Sequence, residues 1–192
     1  DETAAGPWRH GRRPLAERHD TRSPQRSDLI AEKQAANPAA EPTQYQIYPD
    51  NLWDPYRTRR FECGEDLYAS IGIERDNRMG RLMQMAKNYQ FFGAPVGLFF
   101  CIDRRLGSPQ WADMGMLMQT VMLLATERGL DTCAQEAWAR WGTTIGEFLD
   151  LPEEMMMFSG MALGYRDETA PINNWRTRRD AFDLVAQMRG FD

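Results

Sequence analysis

The sequence predicts an α+β domain, for three reasons. A helical period runs onward from Tyr56, ahead of any strand pattern. Two continuous apolar runs of strand length follow it, at residues 94–102 and 155–163. Between them, residues 111–128 carry apolar side chains on nearly every helical face. Helices first, then strands mixed with helices, is the order of an α+β fold.

Composition narrows the function before any motif does. The 192 residues are 42% hydrophobic, one domain's worth of length with the apolar mass for a core. Against 28 acids stand 23 Lys and Arg, a net charge of −5, which argues against a general nucleic-acid binder. Lys33 and Lys87 are the only lysines. Both histidines, His10 and His19, fall in the first twenty residues, which excludes a histidine-rich metal site or a Ser-His-Asp triad elsewhere. Cys63, Cys101 and Cys133 form no CxxC pair, so neither a disulfide framework nor a zinc signature is present, and no metal is expected. Free thiols, and the lack of a signal-peptide pattern, point to a soluble cytoplasmic protein. The apolar run 114–126 contains Gln119 and Thr120 and is shorter than the about 20 residues of a bilayer span. Neither a membrane nor a nucleic acid is an expected partner.

In chain order, residues 1–28 show no period. Trp8 and Leu15 are their only large apolar side chains, and Arg9, Arg12, Arg13, Arg18, Arg22 and Arg26 alternate with Pro, Ser, His and Asp. This reads as an irregular, disordered arm; the sharper alternative, a phosphate-binding tail, is diluted by acids. Residues 29–36 form a short helix capped by Asp28 and stopped at Asn37-Pro38. Residues 38–54 are irregular, broken by Pro42 and Pro49 before Pro55. Tyr45, Tyr48, Trp53 and Tyr56 make this an aromatic loop, either a lid over a pocket or packing against a partner. Helices are expected at 56–71, ended by Gly72, and at 75–89, with Met79, Leu82, Met83 and Ala86 on one face. The strand at 94–102 ends at Asp103, and Gly107-Ser108-Pro109 reads as a turn. Helix 111–128 is apolar all round, as in a helix buried by its own domain and often by a second subunit, with Gly129 as its C-cap. A short helix at 142–149, with Thr143 or Thr144 near its cap, precedes the strand at 155–163 and a polar, arginine-bearing tail.

No triad, P-loop, GxGxxG or metal cluster is present, so an enzyme of this profile takes its chemistry from a cofactor. Two segments stand out. Residues 129–138 join small side chains to an interior Gln135-Glu136. They permit close backbone approach to a flat ligand, or they are an ordinary connection. Residues 174–179 set Arg176, Arg178 and Arg179 around Thr177. Guanidinium forks suit a phosphate, though a solvated surface is the plainer reading.

Five motifs then fall in one order. They are Phe92-Gly93-Ala94-Pro95-Val96-Gly97-Leu98; Gln110-Trp111-Ala112-Asp113-Met114-Gly115 with Gln119; Arg128-Gly129-Leu130-Asp131-Thr132; Ala162-Leu163-Gly164-Tyr165; and Ala170-Pro171-Ile172-Asn173 with Arg176 and Arg179. From about Tyr56 to Phe191 the chain thereby resembles the FMN-dependent nitroreductase family. The resemblance implies a three-layer α/β/α fold built as an intertwined homodimer, with its long helix in the dimer core. It implies FMN at the dimer interface, reduced by NADH or NADPH. A nitroaromatic, quinone or related small-molecule acceptor is then reduced by ping-pong turnover. The flavin carries the chemistry, so no residue of the chain is assigned a catalytic role.

By the same resemblance, Ala134, Gln135, Glu136 and Ala137 match the loop along the flavin ring, with a backbone N–H near Glu136 facing the flavin N5. Many members carry Pro and Gly where Ala134 and Ala137 stand. Arg176, then Arg178 or Arg179, match the cations that reach the FMN phosphate. Trp53 and Tyr56 fall in the insertion that shapes the substrate channel, where they touch substrate or pack on the partner subunit. The family's N-terminal Arg-x-Ser-x-Arg helix has no counterpart ahead of Leu29, and only Pro7-Trp8 matches its Asn-Thr-Gln-Pro-Trp. The expectation is an arm at 1–28 and a nitroreductase-like domain at 29–192 whose N-terminal FMN-binding helix is absent or scrambled. The alternative function is a flavin-fold dimer that no longer catalyses and serves as a binding protein.

Overall fold

The computed structural model describes Ile30, Glu32, Lys33 and residues 41–190. The expected arm at 1–28 lies outside the described residues, as does most of the helix expected at 29–36; within it Ile30, Glu32 and Lys33 are helical. Residues 41–54 are irregular. Then come helix α1 (Tyr56–Ser70), helix α2 (Arg78–Ala86), a 3₁₀ segment (Lys87–Gly93), strand β1 (Val96–Asp103) and helix α3 (Ser108–Glu127). Strand β2 (Asp131–Gln135), a second 3₁₀ segment (Glu136–Trp141), helix α4 (Gly142–Phe148), strand β3 (Met155–Gly164) and the short helices α5 (Pro171–Asn174) and α6 (Phe182–Val185) complete the order. The α+β class holds.

Three boundaries differ from expectation, each for a local reason. Helix α2 starts at Arg78, not 75, because the Asn77 side chain accepts the Gly80 N–H at 2.8 Å and fixes the cap there. It yields to a 3₁₀ segment after Ala86, in which Phe91 and Phe92 take left-handed backbone (φ 50° and 53°) and the Phe91 ring is buried. Residues 107–109 are not a separate turn. Pro109 lies in the first turn of α3, where its missing N–H costs nothing, and the Gln110 side chain accepts the Gly107 N–H at 3.3 Å. Strand β2 lies in the segment expected either as a loop for a flat ligand or as an ordinary connection; with only Cys133 and Ala134 apolar, its pattern is too short to show, and pairing with β3 makes it a strand.

The sheet order is β1-β3-β2, antiparallel throughout. A bulge between Phe100 and Cys101 skips Phe158, so Met157 returns to the face of Gly160 and Ala162. On that face Trp138, Trp141, Tyr89, Phe91 and Ile145 pack as the core cluster. Toward the other face lies α3, which contacts both outer strands. Helical layers therefore cover both sides of β3, and Met156, Met157, Met161 and Ala162 are each at most 3% exposed.

A strap at residues 41–45 ties these layers together. The Glu41 carboxylate accepts the Thr143 and Thr144 N–H groups at 3.0 and 3.2 Å and the Thr144 hydroxyl, capping α4 from about a hundred residues away in sequence. The Gln44 side chain accepts the Met157 N–H at 3.2 Å. Helices α1 and α2 contain no buried residue, and α3 buries Met118 and Ala125 but exposes Met116, Leu117, Leu123 and Leu124 in the single chain, with Met116 at 61% and Leu123 at 62%. No described helix is long and apolar enough to cross a membrane.

Gly160 is set by Trp138. A Cβ there would stand 2.3 Å from Trp138 Cδ1, closer than any real contact. Gly160→Ala should therefore lower unfolding free energy by about 1–3 kcal/mol through overpacking, read as a fall in the urea midpoint; an unchanged midpoint would show that Trp138 can move aside freely.

Candidate functional site

The segment 134–137 sits where β2, an outer strand of the described sheet, turns into the second 3₁₀ segment. Ala134 and Glu136 are exposed, Ala137 is half-buried and Gln135 is 2% exposed. The alternation is that of a strand: Gln135 pairs with Gly160, on the face covered by Trp138, while Ala134 points the other way. Gln135 Nε2 donates to the Asn88 carbonyl at 2.8 Å and to Asn88 Oδ1 at 3.3 Å. Its Oε1 is buried without a partner, as are the indole N–H groups of Trp111, Trp138 and Trp141. Among these four atoms only Gln135 Oε1 is an acceptor. The Tyr89 hydroxyl reaches the Ala137 carbonyl at 3.5 Å. The loop is thus held rigidly from beneath by side chains of the first 3₁₀ segment.

Glu136 is tied to the strap. The Tyr45 hydroxyl donates to the Phe158 carbonyl at 2.6 Å, with the Glu136 carboxylate as a second acceptor beside it. The Tyr45 ring stacks on Phe158 (5.7 Å) and meets Trp111 edge-on (5.1 Å). Burial pushes the Glu136 carboxyl above its usual range, and the Tyr45 hydrogen bond pulls it partly back. Burial, then the charge of Glu136, pushes the Tyr45 phenol up.

The tail arginines are exposed. Arg176 donates from one nitrogen to the Asn173 and Trp175 carbonyls (2.6 and 2.9 Å), which leaves its other N–H groups without a described partner. Arg178 reaches Glu62 and Asp66 on α1, and Arg179 bonds Thr177. Asp180 pairs with Arg59, so three ion-pair contacts among the described residues fasten this tail to α1. The hydrogen bonds of these arginines run to the tail and to α1, not to the 134–137 loop. Trp53 lines a cavity of 740 Å³ with Arg57, Arg60 and Phe61. Tyr56 meets the Trp53 ring edge-on at 5.6 Å. The sequence did not single out Tyr45 as a partner of Glu136, nor Asn88 as a partner of Gln135. Both depend on contacts across a long stretch of chain, for which a single sequence carries no signal.

The model of the nitroreductase family matches residues 13–165. A 4-nitrobenzoate reductase of Pseudomonas putida is 40% identical over 156 residues, 81% of this chain and 68% of its own length. A nitrobenzene nitroreductase of Ectopseudomonas oleovorans is 37% identical over 138 residues, 72% of this chain and 61% of its own length. The chain thus spans about three fifths to two thirds of these curated relatives. Among solved structures, the FMN- and NADPH-dependent nitroreductase NfnB of sphigopyxis sp. strain HMH matches with a TM-score of 0.82 at 47% identity, over 86% of this chain and 74% of that one. The FMN-dependent nitroreductase NfnB of Mycobacterium smegmatis, solved with NADPH, matches with a TM-score of 0.77 at 25% identity, over 87% of this chain and 76% of that one. An α+β fold with an edge-strand loop of this kind defines the class. The chain belongs to the nitroreductase family. The match takes in residues 13–28 as well as the described residues up to Tyr165.

Tyr45→Phe removes the hydroxyl that holds the Glu136 carboxylate, and the hydrogen bond is the influence that lowers this group. The Glu136 pKa should therefore rise further in the variant, as followed by carboxyl NMR titration; a fall, or no movement, would show that the Tyr45 hydroxyl does not donate to this carboxylate.

Proposed function

We propose that this chain is an FMN-dependent NAD(P)H oxidoreductase that reduces nitroaromatic, quinone or related small-molecule acceptors, and that it works as a cytoplasmic homodimer. The observation that carries this reading is the 134–137 loop. It presents the small residues Ala134 and Ala137 and the exposed Glu136 at the rim of the sheet, with Gln135 anchored on the opposite, buried face. A flavin ring edge offers carbonyl and ring-nitrogen acceptors to main-chain N–H groups, and the small side chains of Ala134 and Ala137 let a flat ring approach them, so the residues present fit the cofactor. When bound, FMN supplies the redox chemistry, two-electron transfer between reduced nicotinamide and acceptor.

The chain's own residues position and shield. Gln135, anchored through Nε2 on Asn88, holds the loop in one position from its buried side. Ala134 and Ala137 leave room for a flat ring to approach the backbone, while Trp138 below them is fully buried and keeps the loop from sinking. Arg176 is the first candidate for the FMN phosphate, since it has donors left over; Arg178 and Arg179 are the next, and Arg178 must leave Glu62 and Asp66 to serve. The exposed apolar side chains of α3 support the dimer: a single chain would leave Met116, Leu117, Leu123 and Leu124 in water. Trp53 and Tyr56 belong to the acceptor side of this reading.

Purified protein should be yellow, release flavin on denaturation, and oxidise NAD(P)H when a nitroaromatic or quinone is added. A protein that stays colourless and inactive after FMN addition would instead favour a non-catalytic binding dimer. Arg176→Ala should weaken FMN binding by about 1.5–3 kcal/mol, the worth of one charge-assisted hydrogen bond, in a flavin-fluorescence titration; unchanged affinity would remove Arg176 from the site.

A further inference from the structure

The cavity beside Trp53 carries a charge pattern that flavin binding does not use. It measures 740 Å³, within the range of small-molecule sites, and Trp53 and Phe61 supply flat apolar walls to it. Arg57 and Arg60 also line it, one turn apart on the same side of α1. Their states differ. The Arg57 guanidinium is held by Asp54, which also accepts the Thr58 hydroxyl at 2.7 Å. The Arg60 guanidinium lies 3.9 Å over the Tyr48 ring, which fixes its plane, and it makes no ion pair with a described carboxylate. Two acids share the lining. Glu65 is taken up by a two-pronged pair with Arg81 at 2.7 and 2.9 Å, whereas Asp50 makes no ion pair with a described residue.

We propose that this cavity is a recognition subsite for an aromatic carboxylate, with Arg60 as the residue that selects the anion. A planar guanidinium steadied on a tyrosine ring matches the two oxygens of a carboxylate. The tryptophan and phenylalanine walls match the ring that bears it. Asp50 opposes the same anion and tempers its affinity. That the bound carboxylate is a substrate, a nitro-substituted benzoate, rests on the nitroreductase reading; that it binds does not.

The experiment is calorimetric titration of the purified chain with benzoate and with benzamide, its uncharged analogue. Benzoate should bind the native protein more tightly than benzamide. Arg60→Gln should weaken benzoate at least about tenfold, the loss of one charge-assisted contact, with benzamide unchanged. Arg60→Lys should keep part of the preference, and Asp50→Asn should tighten benzoate alone. Equal binding of the two ligands by the native protein overturns the subsite, as does an Arg60→Gln effect that is the same for both. Should Arg60→Gln not fold, the native preference and the Asp50→Asn response decide. Turnover separates the two readings. If benzoate binding depends on Arg60 but neither 4-nitrobenzoate nor nitrobenzene is reduced with NADPH, the subsite stands and the nitroreductase reading falls. If both are reduced with no dependence on Arg60, the reverse holds.

Discussion

The structure depends on a middle strand that has no free face. Strand β3 is hydrogen-bonded along both edges and covered by helical layers on both sides. A strand so placed is almost entirely apolar, with Ser159 giving its hydroxyl to the Gly160 carbonyl, and it must carry small residues wherever a large ring crosses it. Gly160 and Ala162 meet that need under Trp138, and a bulge at Phe158 re-aims the chain so that Met157 joins the same face. The displaced Phe158 ring lies beside Tyr45 and Trp111, and its carbonyl accepts the Tyr45 hydroxyl. One irregularity in the central strand thus supplies the anchor for the strap.

The candidate site inherits this rigidity. Gln135 pairs with Gly160, so the packing that fixes Trp138 also fixes the start of the 134–137 loop. Asn88, from the segment before β1, meets the Gln135 amide, and Tyr45, from the strap, meets Glu136. Three stretches far apart in sequence converge on four residues. A loop held this way gives a flat ligand a preformed edge rather than one that must order on binding, which preserves binding energy.

The sequence showed what is periodic or ordered along the chain. The strands at 94–102 and 155–163 were legible because both are long apolar runs, and α3 because it is apolar on every face. The order of motifs led to the family. What escaped has a common cause. Strand β2 is five residues long and owes its form to β3, the 3₁₀ segment after α2 contains left-handed Phe91 and Phe92, and the cap of α4 is Glu41, a residue outside the helix's own neighbourhood. For the site, the sequence singled out Gln135 and Glu136 but not the partners that hold them. It grouped Arg176, Arg178 and Arg179 as one cluster; the structure gives each a different partner.

Those partners show that an arginine count says little until each charge is followed to its neighbour. Arg81 and Arg166 are spent on Glu65 and Asp131, within the fold. Arg59 and Arg178 join the tail to α1, a helix none of whose side chains is fully buried in the single chain. Such exposed pairs are individually weak and screened by salt. Helix α1 and the tail are thus the part of the described chain most open to rearrangement, and they carry both the arginines offered to a phosphate and the cavity offered to an aromatic anion. The strongly packed sheet fixes the loop for the cofactor, while the weakly held periphery is where ligand charge can compete with the protein's own carboxylates. That division follows from burial alone, because an ion pair exchanges partners readily only where water can replace the one it leaves.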